Sequence, residues 1–428
     1  MYLKVKNDFE FLNGELEIPA DKSVSHRAVI FSALAKGKSI IKNFSNGQDP
    51  ASSLRICKEL GVDIKQNGTN LIINSDGILR APLQKLYCGN SGTTMRLMAG
   101  ILAGQNFNSV LTGDDSLSKR PMKRVIEPLL LMGADISSDA FYSPLNIKGS
   151  QLSGITYESK IASAQVKSCV LLAGLFADGV TKYKEIYTSR NHTEIMLKNM
   201  GANIYSDNDY ICIEKSELKP ININIFGDIS SASYFITAGL IVPNSKIILK
   251  NIGLNPTRSG IIDVIRQMGG NIEILDQREV CSEIVGDIKV EYSPDMKGVE
   301  ISGKVIPALI DEIPVISLLA TQCKGQTIIK NAQDLRNKES DRIKTTVTEL
   351  KKLGAQIEQT QDGMVINGKT CLKGGIQVES YCDHRLAMML YVAGLVCKKE
   401  IMIKDFEWVN ISFPEFLELF NRLIVTKS

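Results

Sequence analysis

Apolar and polar residues alternate in six short stretches spread along the chain. They are "KSIIKNF" from Lys38, "NSVLTGD" from Asn108, "VTKYKEI" from Val180, "KIILKNI" from Lys246, "QTIIKNA" from Gln326 and "EIMIKDF" from Glu400. A period of two is the pattern of half-buried strands. Beyond five of them an apolar helical stretch closes on glycine and enters another strand: "CKELGVDI", "LLLMGADI", "LKNMGANI", "IRQMGGNI" and "LKKLGAQI". Glycine just past the last apolar turn marks a helix C-terminus. The sixth copy, "FPEFLELFNRLIV", lacks that glycine. Ahead of each strand stands an apolar helix with a polar start: "DKSVSHR", "NSGTTMR", "SAQVKS", "GDISSAS", "IDEIPV" and "CDHRLAM". One unit therefore reads helix, strand, helix, strand over roughly 65–85 residues, and self-similarity on that scale is the mark of a repeat architecture.

Six such units predict a mixed α/β (α+β) chain. Its 428 residues exceed one ordinary core, so the expectation is two domains of three units each. The midpoint falls just before Asp228, and the strand "YLKVKN" precedes the first unit, which places it with the last ones. The expected domains are residues 14–226 and residues 1–13 with 227–428. The chain would cross twice, near 13–14 and 226–228, an arrangement suited to a hinge.

Composition narrows the function. Hydrophobic residues make up 44% and charged residues 23%, the balance of a water-soluble globular chain. A net charge of +3 does not suggest a nucleic-acid partner, so any anion site must be a local gathering of Lys and Arg. The start "MYLKVKNDFEF" has no secretory pattern, and no apolar run reaches the ~18–20 residues of a membrane span. The nine cysteines are scattered without CxxC pairs, and only three histidines are present. A cytoplasmic protein with reduced thiols and no metal site is expected.

The helix starts carry the chemistry. In "CGNSGTTMRLMAGILAG", Asn90 would suffice as a cap, yet Arg96 sits near the positive end of the helix dipole, where a cation is disfavoured unless an anion is near. Gly89 and Gly92 allow close approach to the backbone. "DKSVSHRA" sets Lys22, Ser23, Ser25 and Arg27 around another start, a combination of hydroxyls, N–H groups and cations suited to an oxyanion. "SLSKRPMKR" adds Lys119, Arg120 and Arg124; "KIASAQVKS" adds Ser163, Gln165 and Lys167; "TSRNHTE" adds Ser189, Arg190 and His192. In the second half carboxylates join the cations. "LIDEIPV" holds Asp311 and Glu312, each an N-cap or a base, and "LRNKESDRI" packs Arg336, Lys338, Glu339, Asp341 and Arg342 together. "YCDHRLAMM" fixes Asp383, His384 and Arg385 before a very apolar helix. Equivalent ends of repeats share a face, so a small, multiply charged substrate between the halves is expected, with Asp311 and Glu339 as base and acid.

These segments, in order over nearly the whole chain, resemble those of the 5-enolpyruvylshikimate-3-phosphate synthase family: "DKSVSHRA", "GNSGTTMRL", "RPM", "SAQVKS", "SRNHTE", "IDEIPV", "KESDRI" and "DHRLAM". The resemblance implies an enolpyruvyl-transferase-like fold of two domains, each of three βαβαββ units. It implies transfer of enolpyruvyl from phosphoenolpyruvate to the 5-hydroxyl of shikimate 3-phosphate, through a tetrahedral ketal that eliminates phosphate. Carried over by motif, Lys22, Ser23, Arg27, Ser163, Gln165, Arg190, Asp311 and Lys338 would hold shikimate 3-phosphate. Lys22, Asn90, Gly92, Arg120, Gln165, Arg342 and Arg385 would hold phosphoenolpyruvate. Glu339 would protonate carbon, Asp311 would take the hydroxyl proton, and Lys22 would assist. Neither a cofactor nor a metal is expected, and the chain is expected to be monomeric, with no membrane partner.

Some positions depart from the family pattern. Ala164 replaces a serine of many relatives, Ile411 stands where some carry a phosphate-binding lysine, and Asn337 is often apolar there. Gly92 stands where glyphosate-tolerant forms have alanine, which implies sensitivity to that inhibitor. The alternative acceptor is UDP-N-acetylglucosamine, but enzymes that use it typically carry a reactive cysteine in the loop that reads "GDDSLSKRP" here. RNA 3′-phosphate cyclases use similar units and are disfavoured by the modest charge. A non-catalytic repeat scaffold would tolerate substitution of Lys22 and Glu339.

Overall fold

The computed structural model describes residues 1–426. The chain forms two compact units. One comprises Ala20–Ile225 with Val280–Ser282, the other Met1–Pro19, Phe226–Glu279 and Glu283–Ser428. The first crossing lies at Pro19, beyond the expected residues 13–14. Residues Phe9–Glu17 form one unbroken strand, parallel to Lys246–Gly253 and antiparallel to Ile424–Thr426, so its last residues cannot leave with the N-terminal unit.

The unit centred on residues 20–225 contains three four-stranded sheets of one design. In the second of them, Leu86–Tyr87 runs parallel to Ser109–Thr112, which pairs antiparallel with Leu145–Lys148, itself antiparallel to Asp135–Ser137. The helix Gly92–Ala103 links the parallel pair, and Lys123–Leu131 leads into the hairpin. This is a βαβαββ unit. In the first sheet the leading strand is Asn222–Asn224, from the end of the segment, lying parallel to Lys36–Lys42. The repeat thereby closes on itself.

In the other unit, Glu300–Ile301, Gly325–Ile329, Met364–Gly368 and Gln356–Gln359 repeat the same order. Tyr2–Val5 pairs antiparallel with Ile401–Lys404, so the leading strand does lie with the last repeat. The apolar helices preceding each long strand are Lys22–Leu34, Gly92–Ala103, Ala164–Gly174, Ile229–Ile241, Ile313–Gln322 and His384–Val396. Nearly every residue of Ile229–Ile241 and His384–Val396 is buried, which accounts for their all-round apolarity. The closing glycines Gly61, Gly133, Gly201, Gly269 and Gly354 adopt φ of +88°, +90°, +85°, +81° and +99°, the left-handed conformation that ends a helix at little cost only for glycine. Six of the cysteines (Cys57, Cys88, Cys169, Cys212, Cys323, Cys397) are buried, while Cys371 and Cys382 are exposed.

Candidate active site

In the N-terminal unit Lys22, Ser23, Gly92, Ser163 and Gln165 sit at the starts of the three core helices, Arg27 lies one turn further on, and Arg120 and Arg190 lie in loops. Asp21 caps the first, its carboxylate accepting from the Val24 N–H at 2.8 Å. Lys22 opens that helix and reaches Asp49 at 3.1 Å. Arg27, one turn beyond Ser23, is buried, and three of its N–H groups are committed internally. Nε donates to Thr193 at 2.7 Å, Nη1 to the Ser23 carbonyl at 3.0 Å and Nη2 to Ser168 at 2.8 Å. It thereby joins the helices Lys22–Leu34, Ala164–Gly174 and His192–Asn199.

The second core helix is capped by Ser91, not by Asn90, since the Ser91 hydroxyl accepts from the Thr94 N–H at 3.1 Å. Asn90 is thus available for side-chain work. Its Nδ2 donates to Asp114 at 2.8 Å, and its Oδ1 accepts from Arg120 at 2.7 Å. Arg96 donates to Gln165 at 2.8 Å, and Gln165 donates to Thr93 at 3.0 Å, so Gln165 ties the starts of the second and third helices. Ser163 occupies the N-cap of the third without capping it. A Cβ on Gly92 would lie 2.5 Å from Arg96 Nη1 and 3.5 Å from Arg120 Nη1. The turn at Gly92 is therefore lined by two guanidinium groups, and a methyl there would require Arg96 to shift.

Lys167, grouped by its motif with the helix-start cations, is fully buried. It is held by Glu185 at 2.9 Å, Glu194 at 2.8 Å and the Ser189 carbonyl at 3.0 Å. Its role is to fold the loop that carries Arg190, because Glu185 also accepts from the Ser189 N–H and hydroxyl, each at 2.7 Å.

In the C-terminal unit the residues form a second cluster. Arg342 is 1% exposed. Its Nε and Nη2 meet Asp383 at 2.8 and 3.2 Å, Nη2 also meets Glu339 at 2.6 Å, and Nη1 meets Asp311 at 3.4 Å. Lys338 stands 3.8 Å from Asp311 and 3.2 Å from Asp334. Arg385 donates to the Asp311 carbonyl at 3.3 Å and approaches its carboxylate at 3.7 Å. Burial alone would raise the Asp383 carboxyl, but Arg342 outweighs it and holds the group below the usual carboxylate range. Burial likewise works against the Arg342 and Arg385 cations. Asp383 and Glu339 at the first, and Asp311 at the second, reverse that and raise both.

Glu312, read from the sequence as a cap or a base, is a buried structural anchor. It accepts from the Ser230 hydroxyl and faces Arg258 Nη1 at 3.3 Å. Arg258, which also binds Asp228 at 2.9 Å, was missed by sequence reasoning, although Ser259 beside it occupies the N-cap of the helix Gly260–Met268. Arg336 is likewise structural, bound to Asp341 at 2.8 Å and to the carbonyls of Gln361 and Thr360.

The two clusters differ in electrostatic character. Around the N-terminal helix starts stand Lys22, Arg27, Arg96 and Arg120, with Lys22 meeting Asp49 and Arg120 meeting the side-chain oxygen of Asn90. In the C-terminal cluster Arg258, Lys338, Arg342 and Arg385 meet Asp228, Asp311, Glu312, Asp334, Glu339 and Asp383. The first arrangement suits anion binding and the second suits proton transfer. Among the described residues no group of three or more His, Cys, Asp or Glu side chains is placed to hold a metal ion.

Comparison with known proteins identifies the family. The family model for EPSP synthase (3-phosphoshikimate 1-carboxyvinyltransferase) matches residues 7–420. A 3-phosphoshikimate 1-carboxyvinyltransferase of Bacillus pumilus is 52% identical over 412 residues, 95% of this chain and 96% of that one. The protein of that name from Bacillus subtilis is 49% identical over 423 residues, covering 98% and 99%. The solved EPSP synthase of Acinetobacter baumannii superposes with a TM-score of 0.88 at 39% identity, covering 99% of this chain and 98% of that one. The enolpyruvyl transferase NikO of Streptomyces tendae, 16% identical, shares the fold with a TM-score of 0.81 over 100% of this chain and 99% of its own. The chain belongs to the EPSP synthase (3-phosphoshikimate 1-carboxyvinyltransferase) family.

Proposed function

We infer that this chain moves the carboxyvinyl group of phosphoenolpyruvate onto the 5-hydroxyl of shikimate 3-phosphate and releases phosphate, a transferase step of the shikimate pathway. Membership of the family over residues 7–420 carries the activity. The residue roles are our own reading. Lys22, Ser23, Arg27, Ser163, Gln165, Arg190, Asp311 and Lys338 bind shikimate 3-phosphate. Lys22, Asn90, Gly92, Arg120, Gln165, Arg342 and Arg385 bind phosphoenolpyruvate.

One observation supports the acid–base assignment: a single buried guanidinium, Arg342, holds both Glu339 and Asp311. An incoming phosphoenolpyruvate anion competes for that cation. Glu339, losing its partner and gaining an anionic neighbour, then favours the protonated form. It delivers this proton to the methylene carbon while Asp311 accepts the proton of the attacking hydroxyl. The new C–O bond forms at the adjacent carbon. Return of a methyl proton to Glu339 expels phosphate, which leaves with the proton held by Asp311, and restores the double bond. The cations of the N-terminal cluster neutralise the charge that a bound divalent metal would otherwise offset.

We also read the chain as a cytoplasmic monomer inhibited by glyphosate, with neither nucleic acid nor membrane as partner. The small net charge supports the absence of a nucleic-acid partner, and among the described residues no single helix is long and apolar enough to cross a membrane. Purified protein mixed with phosphoenolpyruvate and either shikimate 3-phosphate or UDP-N-acetylglucosamine tests the acceptor. Phosphate release is expected with the first alone, and release driven only by the sugar nucleotide overturns the reading.

A further inference from the structure

Beneath the helix starts of the N-terminal unit runs a line of four fully buried polar side chains. His26 Nδ1 stands 2.8 Å from Ser53 Oγ, which stands 2.8 Å from Thr94 Oγ1, which in turn donates to Ser91 Oγ at 2.8 Å. The order of donors follows from counting protons. Thr94 gives its one hydroxyl proton to Ser91, so it accepts from Ser53. Ser53, its own proton spent, accepts from His26. The imidazole therefore carries its proton on Nδ1. Its Nε2, buried and without a hydrogen bond from any described residue, is a bare lone pair. Burial foremost, then the charges of Lys22 and Arg27, holds this histidine well below its ordinary pKa, so the ring stays neutral.

The line has a geometric purpose. Lys22 and His26 lie one turn apart on one helix, as do Asp49 and Ser53 on the helix Gln48–Glu59. Lys22 meets Asp49 at 3.1 Å and His26 meets Ser53 at 2.8 Å, two parallel rungs between the helices. The second rung continues through Thr94 to Ser91, the cap between Asn90 and Gly92. Buried polar groups are costly unless they are paired, and the contacts from His26 Nδ1 to Ser91 restrict how these helices can sit against one another.

We propose that His26 is a positioning residue for the phosphoenolpyruvate-binding turn at Asn90–Gly92, acting through Ser53, Thr94 and Ser91 to hold that turn in register with Lys22. The proposal deepens the site reading above and rests on it. The hold of Arg27 on the neighbouring helices runs through Thr193 and Ser168 and does not use this line. Loss of His26 should therefore affect one substrate more than the other.

Steady-state kinetics on three variants test it. His26→Leu removes the donor, Thr94→Val breaks the line further along, and His26→Asn places an amide N–H where the Nδ1–H sits. If about one buried hydrogen bond of order is lost, His26→Leu and Thr94→Val each raise KM for phosphoenolpyruvate about tenfold, with kcat within about threefold and KM for shikimate 3-phosphate within about twofold. His26→Asn returns KM to within about threefold of the parent. An unchanged KM in His26→Leu, an equal rise for both substrates, or no rescue by His26→Asn overturns the proposal. Nitrogen NMR of the unliganded parent protein reads the tautomer independently of folding in the variants. An Nδ1–H imidazole is expected, and an Nε2–H or doubly protonated ring overturns the line. If the parent protein released no phosphate with both substrates, the functional reading would fall, and the tautomer would still decide the relay.

Discussion

Arg342 and Asp383 face each other across two N–H···O contacts of 2.8 and 3.2 Å, 1% and 0% exposed. Asp383 caps the helix His384–Val396 through the Arg385 N–H at 2.9 Å, and the same carboxylate aims Arg342 at Asp311 and Glu339. Removing one partner of a buried pair leaves the other uncompensated. Asp383→Asn is expected to cost about 3–5 kcal/mol of stability, read as a lower urea midpoint.

The same pair sets an acid limit. The Asp383 carboxyl is depressed in the folded state, so its contribution is present above the ordinary carboxylate pKa and is lost as pH falls through the folded value. Stability should decline below about pH 4 in the parent protein. Asp383→Asn should show a shallower decline over that range, and an unaltered slope would separate the acid sensitivity from this residue.

Gly92→Ala should separate binding from stability. Gly92 is the first residue of its helix, so the advantage of alanine over glycine in helix interiors applies only in part, and the melting temperature should stay near that of the parent. The added Cβ, 2.5 Å from Arg96 Nη1, must displace that guanidinium and crowd Arg120. An increase in KM for phosphoenolpyruvate with little change in KM for shikimate 3-phosphate is expected from kinetics on the folded variant.

Lys167→Met tests a cation that touches no substrate in this account. It leaves Glu185 and Glu194, both largely enclosed, without their shared cation. A loss of about 3–5 kcal/mol is expected in urea unfolding, together with weaker shikimate 3-phosphate binding as the Arg190 loop loosens. Unimpaired binding in a destabilised variant would confine Lys167 to the core.

Much of this was legible in the chain itself, because strand alternation and helix-closing glycines are local signals. The six alternating stretches all lie on strands, and Tyr2–Val5 joins the last repeat. What escaped depended on contacts between distant segments. The strand Phe9–Glu17 hid the crossing point, since pairing with Lys246–Gly253 decides where it belongs. Lys167 and Glu312 carry the same charges as their functional neighbours, and only burial against Glu194 and Arg258 distinguishes them. Arg258 itself lies in a loop whose residues give no hint of the two helix caps it binds.

The assignment of Glu339 as the acid that serves carbon is tested most directly by phosphate release in Glu339→Gln, alongside calorimetric binding of shikimate 3-phosphate. Loss of a general acid predicts turnover slower by about 10²–10⁴-fold, with shikimate 3-phosphate affinity within about twofold of the parent. Turnover near the parental rate, or affinity lost in step with rate, would contradict it.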